Sequence, residues 1–265
     1  MTTSTHDTVM VRPQPGGWAT LLIDNPPINL LDDRVYRELA DALDQLVLDP
    51  ETRVVVLESA DPDFFSAHFA VDLPPESQQE LAGTYSRIIA ALQSPDLVSI
   101  AKIRGRARGG GHELTLLCDM RFASADSTVI GQPEVTNGLI PGGGALQLLP
   151  LLIGRARALE LMLSGRNIDG STAERYGVVN RALPDGELDD YVAELAARIA
   201  GHYPTALAEI KKAVNRRHLP PAAEFATDIK VFEHLLNAPE VRAMIDARLA
   251  EGLQTRGPLE YGLGD

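Results

Sequence analysis

Cysteine is almost missing from the 265-residue chain: Cys118 stands alone, so no intramolecular disulfide can staple the fold. Its place in the apolar run Leu114–Cys118 suits a buried structural thiol better than a nucleophile. Aromatic residues make up only 5% of the chain, with a single tryptophan. Basic charge is also scarce. Lys and Arg number 24 against 37 Asp and Glu, a net charge of −13 that argues against general binding to nucleic acid or an anionic membrane. No apolar run reaches membrane-spanning length, and Met1–His6 has no basic segment leading into an apolar one. We expect a cytoplasmic protein with no membrane or nucleic-acid partner. His and Cys residues at metal-ligand spacing do not occur, so no metal site is expected.

What the chain does contain is short apolar strands alternating with amphipathic segments. Residues 1–17 read as a polar arm and turn, and Trp18–Ile23 as a strand halted at Pro26-Pro27. Asp32 reads as the N-cap of a helix with Val35, Leu39, Leu43 and Leu46 on one face. The run 53–58 suits a strand buried on both faces, and the spacing predicts a helix over about 77–93. Met120–Ala123 and Val178–Leu183 are further strands, a helix is expected from about 155 to 163, and Ser171-x-x-Glu174 has capping-box spacing. Beyond Pro184 the pattern turns helical, over 188–199, 205–216 and 222–250. The expected architecture is α/β with a largely parallel sheet: a core over residues 1–190 and a helical region over 191–265 acting as lid or subunit interface.

Two glycine clusters stand apart from this packing pattern. The first, Gly109-Gly110-Gly111, follows a strand and opens a helix that carries Glu113 in its first turn. Bare amides at such a junction can approach an anion closely. Glu113 is either a helix-dipole partner or a catalytic acid or base. The second cluster, Gly142-Gly143-Gly144, follows Gly131-Gln132-Pro133-Glu134, and the two glutamates could converge on one pocket and divide acid and base roles. His68, in Ala67-His68-Phe69-Ala70, reads as a partly buried structural histidine, with a base or ligand role as the alternative. The arginine–glycine run 104–111 lies between strand and helix in an acidic chain, unlike a disordered nucleic-acid box.

These segments, in this order over about residues 18–220, resemble the enoyl-CoA hydratase/isomerase (crotonase) superfamily. The likeness is strongest at Gly105–Glu113, Gly131–Glu134 and Gly138–Gly144. It implies a spiral core of stacked ββα units with a helical C-terminal region, assembled as a homotrimer or a dimer of trimers. It implies an acyl-CoA substrate, with coenzyme A arriving as part of the substrate and no separate cofactor. By motif position the oxyanion-hole amides would be those of Phe69 and Gly110. Glu113 would activate water, Glu134 would protonate Cα, and Gly142 would help hold the water. The implied reaction is hydration of a 2-enoyl-CoA to a 3-hydroxyacyl-CoA. Alternatives are enoyl-CoA isomerisation, hydrolysis of a β-diketone or thioester, or a catalytically silent scaffold subunit.

The chain departs from the family pattern in places. The usual Ala-Gly-Ala-Asp is Ala67-His68-Phe69-Ala70, placing Ala67 and His68 against the substrate. Arg106 and Arg108 replace Tyr/Leu-type residues. Arg108 beside an acyl pocket would suit a substrate carrying a carboxylate, unless both arginines point away to solvent or a subunit contact. Asn25 and Asp72 stand where basic residues are common. Contacts to the CoA phosphates are therefore expected to move to Arg256 or to Lys211 and Lys212.

Overall fold

A computed structural model describes residues 7–220 and 222–265. The first six residues of the expected arm lie outside the described residues. The rest of the arm is a strand, β1 (Val9–Gln14), paired antiparallel with β2 (Trp18–Ile23) through a turn. Helix α1 (Asp33–Leu48) starts where Asp32 accepts from the Val35 amide, and it buries Val35, Leu39, Leu43 and Leu46 as the spacing predicts.

From here the chain repeats one motif. β3 (Val54–Ser59) and β4 (Phe64–Ser66) precede α2 (Pro75–Gln93). β5 (Val98–Ile103) and β6 (Arg106–Arg108) precede α3 (Gly110–Leu117). β7 (Met120–Ser124) and β8 (Val129–Gly131) precede α4 (Ala145–Ser164). In each unit the first strand joins a large sheet and the second a small one. β3, β5 and β7 lie side by side and parallel between β2 and the later β10 (Arg181–Leu183). β4, β6 and β8 form a parallel set closed by antiparallel β9 (Ile168–Asp169). This is the expected spiral of stacked ββα units.

Strand β3 shows how the core is divided. Val55 and Leu57 enter the main core, while Val54 and Val56 face Leu188, Val192, Ala196 and Ala200 of α6 (Asp185–Ala200). A strand with a period of two and helices on both sides must be apolar throughout. Since α6 lies against this sheet, the expected division at residue 190 falls inside a helix.

Three local expectations change. The helix expected from about 155 to 163 is present, and the apolar run Ala145–Ile153 ahead of it is helical too; Gly154, with a φ of 79°, separates the two within α4 (Ala145–Ser164). The next helix, α5 (Gly170–Tyr176), is capped by Asp169 rather than Ser171: the Asp169 carboxylate accepts from the Thr172 amide at 2.7 Å. The predicted stretch 222–250 is two helices, α8 (Ala222–Leu236) and α9 (Pro239–Ala250), followed by short α10 (Pro258–Gly262). Before them, α7 (Pro204–His218) leaves Ile210 and Val214 exposed and buries Lys211. The Lys211 ammonium donates to Leu92 O, Leu97 O and Asp119 at 2.6–2.8 Å.

Candidate active site

The two glycine clusters meet at one cavity. It is lined by Tyr36, His68, Phe69, Tyr85, Gly109, Gly110, Glu113, Glu134, Gly142 and Gly143, and α8 closes it with Ile229, Phe232 and Leu236. The rest of its wall is predominantly apolar, with Leu81, Leu139, Leu253 and Leu263 among its residues.

Glycine is required at position 109 for two reasons. Its φ of +49° is a backbone conformation that side chains disfavour, and a Cβ there would stand 2.7 Å from Glu134 Oε1. The Glu134 carboxylate therefore lies directly over the start of α3. At Gly110 a Cβ would stand 3.4 Å from the Phe69 amide nitrogen, so the two residues sit against each other across the cavity wall. Neither the Phe69 nor the Gly110 N–H donates to any acceptor among the described residues. Two adjacent amides without partners beside a cavity are the makings of an oxyanion hole.

Glu113 projects from the first turn of α3 and is buried. Its Oε1 accepts from the Gly143 amide at 2.7 Å and the Ala145 amide at 3.1 Å. The carboxylate thus caps the N-terminus of α4, and the second glycine cluster serves to let that backbone approach. A Cβ on Gly143 would meet Glu113 Oε2 at 2.7 Å and the Tyr85 hydroxyl at 2.6 Å. Tyr85 donates to Gly143 O at 2.6 Å, locking the same turn. Burial pushes Glu113 up to about 7, although the Ala145 and Gly143 amides pull the other way. Enclosure in the cavity, then the Glu113 charge, raises Glu134 well above the usual carboxylate range. At neutral pH the pair favours a proton on Glu134 and an accessible base at Glu113, the division an acid–base pair needs.

Glu134 has its own support. The Gln132 side-chain amide spans His112 Nδ1 and the Glu134 carboxylate at 3.0 Å on each side, and it satisfies both when its nitrogen is assigned to Glu134 and its oxygen to His112 Nδ1–H. Burial, then the Arg121 charge, pushes His112 down to about 3, which keeps the ring neutral.

The structure brings together Glu113, Glu134, Phe69, Gly110, Gly142 and His68 at this cavity. Two expected substrate contacts lie elsewhere. Ala67 is fully buried with Ile28 and Phe64 behind the wall. Arg108 is fully buried and turned to the C-terminal segment, donating to Glu260 Oε2 at 2.8 Å and Leu263 O at 2.9 Å. Arg106 follows it, stacking over Tyr261 with 4.7 Å to the ring centroid and donating to Tyr261 O. The carboxylate-binding expectation for Arg108 is thus corrected, because its charge is spent within the chain. The same holds for residues expected to meet CoA phosphates: Arg256 pairs with Asp61 and Asp63, and Lys211 with Asp119. Lys212 is exposed beside Glu209.

Tyr85, Gly143 and Glu260 were not anticipated. The glycine triplet was a usable signal for Gly143; only the choice among its three members was open. Nothing near Glu260 in the sequence marks it. Cys118 is buried as expected, and burial raises its thiol to about 12. Among the described residues no group of three His, Cys, Asp or Glu side chains could hold a metal, and no helix is long and apolar enough to cross a membrane.

Comparison with known proteins points to one family. The family model for enoyl-CoA hydratase/isomerase matches residues 14–255. A Mycobacterium tuberculosis protein named as a probable enoyl-CoA hydratase is 33% identical over 80% of this chain and 82% of its own. A Bacillus subtilis protein named the same way is 36% identical over 72% of this chain and 76% of its own. Among solved structures, a Streptomyces avermitilis protein provisionally named an enoyl-CoA hydratase is 42% identical. It covers 100% of this chain and 98% of its own with a TM-score of 0.92.

Proposed function

The chain belongs to the enoyl-CoA hydratase/isomerase family, and from that premise we propose that it adds water across the double bond of a 2-enoyl-CoA thioester to give a 3-hydroxyacyl-CoA. The observation that carries this reading is the pair of carboxyl groups, Glu113 and Glu134, in one cavity with the free amides of Phe69 and Gly110.

The thioester oxygen accepts from the two amides. As water attacks C3, charge moves onto that oxygen, where preorganised donors stabilise it; losing one such donor typically costs ~3–4 kcal/mol. Glu113, its Oε1 held by the α4 amides, takes the proton from water. Glu134, kept protonated by its enclosure and by the neighbouring charge, delivers a proton to C2. Gly142 lines the same cavity, which supports its proposed part in holding the water. Coenzyme A enters as part of the substrate, and no separate cofactor takes part. Assembly as a homotrimer or a dimer of trimers is proposed on the family likeness, and the exposed apolar Ile210 and Val214 of α7 suit a subunit contact.

The test is loss of enoyl absorbance with crotonyl-CoA and longer 2-enoyl-CoA thioesters. Glu113→Gln and Glu134→Gln are each expected to lower kcat by about 10²–10⁴-fold. For the wild type, kcat/KM rises with pH and levels off near the value of about 7 to which burial lifts Glu113. No turnover of any 2-enoyl-CoA by the wild type overturns the hydratase reading. If the wild type interconverts 3-enoyl- and 2-enoyl-CoA without hydrating either, and Glu113→Gln spares that interconversion, the reaction served is isomerisation through Glu134 alone.

A further inference from the structure

The two departures from the family pattern flanking the site, His68 and Arg108, meet on one carboxylate. Glu260 Oε1 lies 2.8 Å from His68 Nε2, and Oε2 accepts from Arg108 Nη2 at 2.8 Å. His68 immediately precedes Phe69, and Arg108 lies two residues before Gly110. Glu260 comes from α10, 192 residues from His68 in sequence, and is fully buried.

We infer that Glu260 is a positioning residue that sets the alignment of the Phe69 and Gly110 amides by clamping His68 to Arg108. This rests on the reading that those amides hold the thioester oxygen.

The peptide planes on either side of Phe69 show how the clamp acts. The carbonyl of His68, in the same peptide as the Phe69 N–H, accepts from the Leu31 amide at 3.0 Å. The carbonyl of Phe69, in the next peptide, lies 2.7 Å from His68 Nδ1, and the Ala70 amide donates to Leu31 O at 3.1 Å. Both ring nitrogens of His68 thus face oxygen atoms, one on Phe69 and one on Glu260. With both neighbouring carbonyls held, the Phe69 N–H has one direction left. On the other side, the Arg108 guanidinium is tied to Glu260 and Leu263 O, and the Gly109 amide donates to Gly131 O at 3.0 Å. A second strap runs in parallel: the Gln254 amide donates to Glu260 Oε1, and Gln254 Oε1 accepts from the Val71 amide, each at 2.7 Å. Bonds of this length between buried ionic groups hold geometry tightly. His68 and Arg108 thus share one carboxylate supplied by the far end of the chain.

The test uses a chromophoric thioester, the para-dimethylaminocinnamoyl ester of coenzyme A, whose absorption moves to longer wavelength as its carbonyl oxygen accepts hydrogen bonds. Wild type, Glu260→Gln, His68→Leu and Arg106→Ala are titrated with it after circular dichroism and thermal melting confirm folding. The wild type shifts the band. Glu260→Gln and His68→Leu lose at least half of that shift, and their kcat on 2-enoyl-CoA falls by about ten- to a hundredfold with KM nearly unchanged. Arg106→Ala, which loosens α10 without touching the clamp, keeps the full shift. Should Glu260→Gln not fold, His68→Leu decides, since it cuts His68 from both Glu260 and Phe69 O while the Arg108–Glu260 pair stays. A wild-type shift in both folded clamp variants overturns the clamp and leaves the hydratase reading standing. An unshifted band in the wild type overturns the oxyanion reading and the clamp with it.

Discussion

Glu113 and Glu260 are equally hidden from water, at 4% and 0% exposure, yet their surroundings drive them apart. Glu113 faces backbone amides and another carboxyl but no cation, and burial carries it up to about 7. At Glu260 burial pushes the same way, but His68, the Gln254 amide and Arg108 outweigh it and hold the group below the usual carboxylate range. Burial alone therefore does not make a carboxyl group an acid, a base or an anchor; its charged neighbours do. One fold uses both solutions within a few residues of the same cavity wall.

The contrast can be broken from either side. Glu260→Ala leaves the Arg108 guanidinium buried without its counter-charge, and stability at pH 7 is expected to fall by about 3–5 kcal/mol in urea unfolding. Replacing Arg108 by Met and Glu260 by Leu together recovers much of that loss, because no stranded charge remains.

Glu113→Gln moves the other way. The folded-state value of Glu113 lies above its unfolded one, so its ionisation costs stability increasingly as pH rises through that window towards about 7. The variant is expected to gain about 1–3 kcal/mol at pH 8 and nothing at pH 4, while losing activity. Equal melting temperatures for variant and wild type at both pH values contradict the assignment.

How far the sequence foretold this contrast depends on whether the signal was local. The Asp32 cap, the α1 face and the strand at Val54–Ser59 were legible because period and capping are properties of neighbouring residues. Gly109 and Glu113 were legible because a triple glycine between strand and helix is hard to justify by packing. Arg108 was misread because its partner stands 152 residues away, and a lone arginine gives no hint of what it faces. The helix after Gly154 was legible, whereas the helical state of Ala145–Ile153 was not, because a short continuous apolar run suits a buried strand or a buried helix equally. Asp169 displaced Ser171 as a cap because both offer an acceptor at workable spacing and only the backbone path chooses.

Smaller changes sharpen the comparison. Gly109→Ala forces a side chain into a positive-φ conformation and against Glu134 Oε1, and is expected to cost about 1–3 kcal/mol and most of the activity. A fully active Gly109→Ala enzyme would show that Glu134 can leave that position freely. Arg106→Ala removes only a partly exposed cation stacked on Tyr261, and a loss of about 1 kcal/mol or less in thermal unfolding is expected with kcat retained.

Lys211 gives α7 an unusual kind of attachment. The helix turns its apolar Ile210 and Val214 outward and is fastened by polar contacts, chiefly the Lys211 ammonium on two carbonyls and Asp119, with Asn215 donating to Gln93 O. Detaching it uncovers little greasy surface, so hydrogen exchange of its amides should proceed through an opening almost indifferent to urea. The amides of α1, sealed by Val35, Leu39 and Leu43, should instead show a steep dependence on the same denaturant.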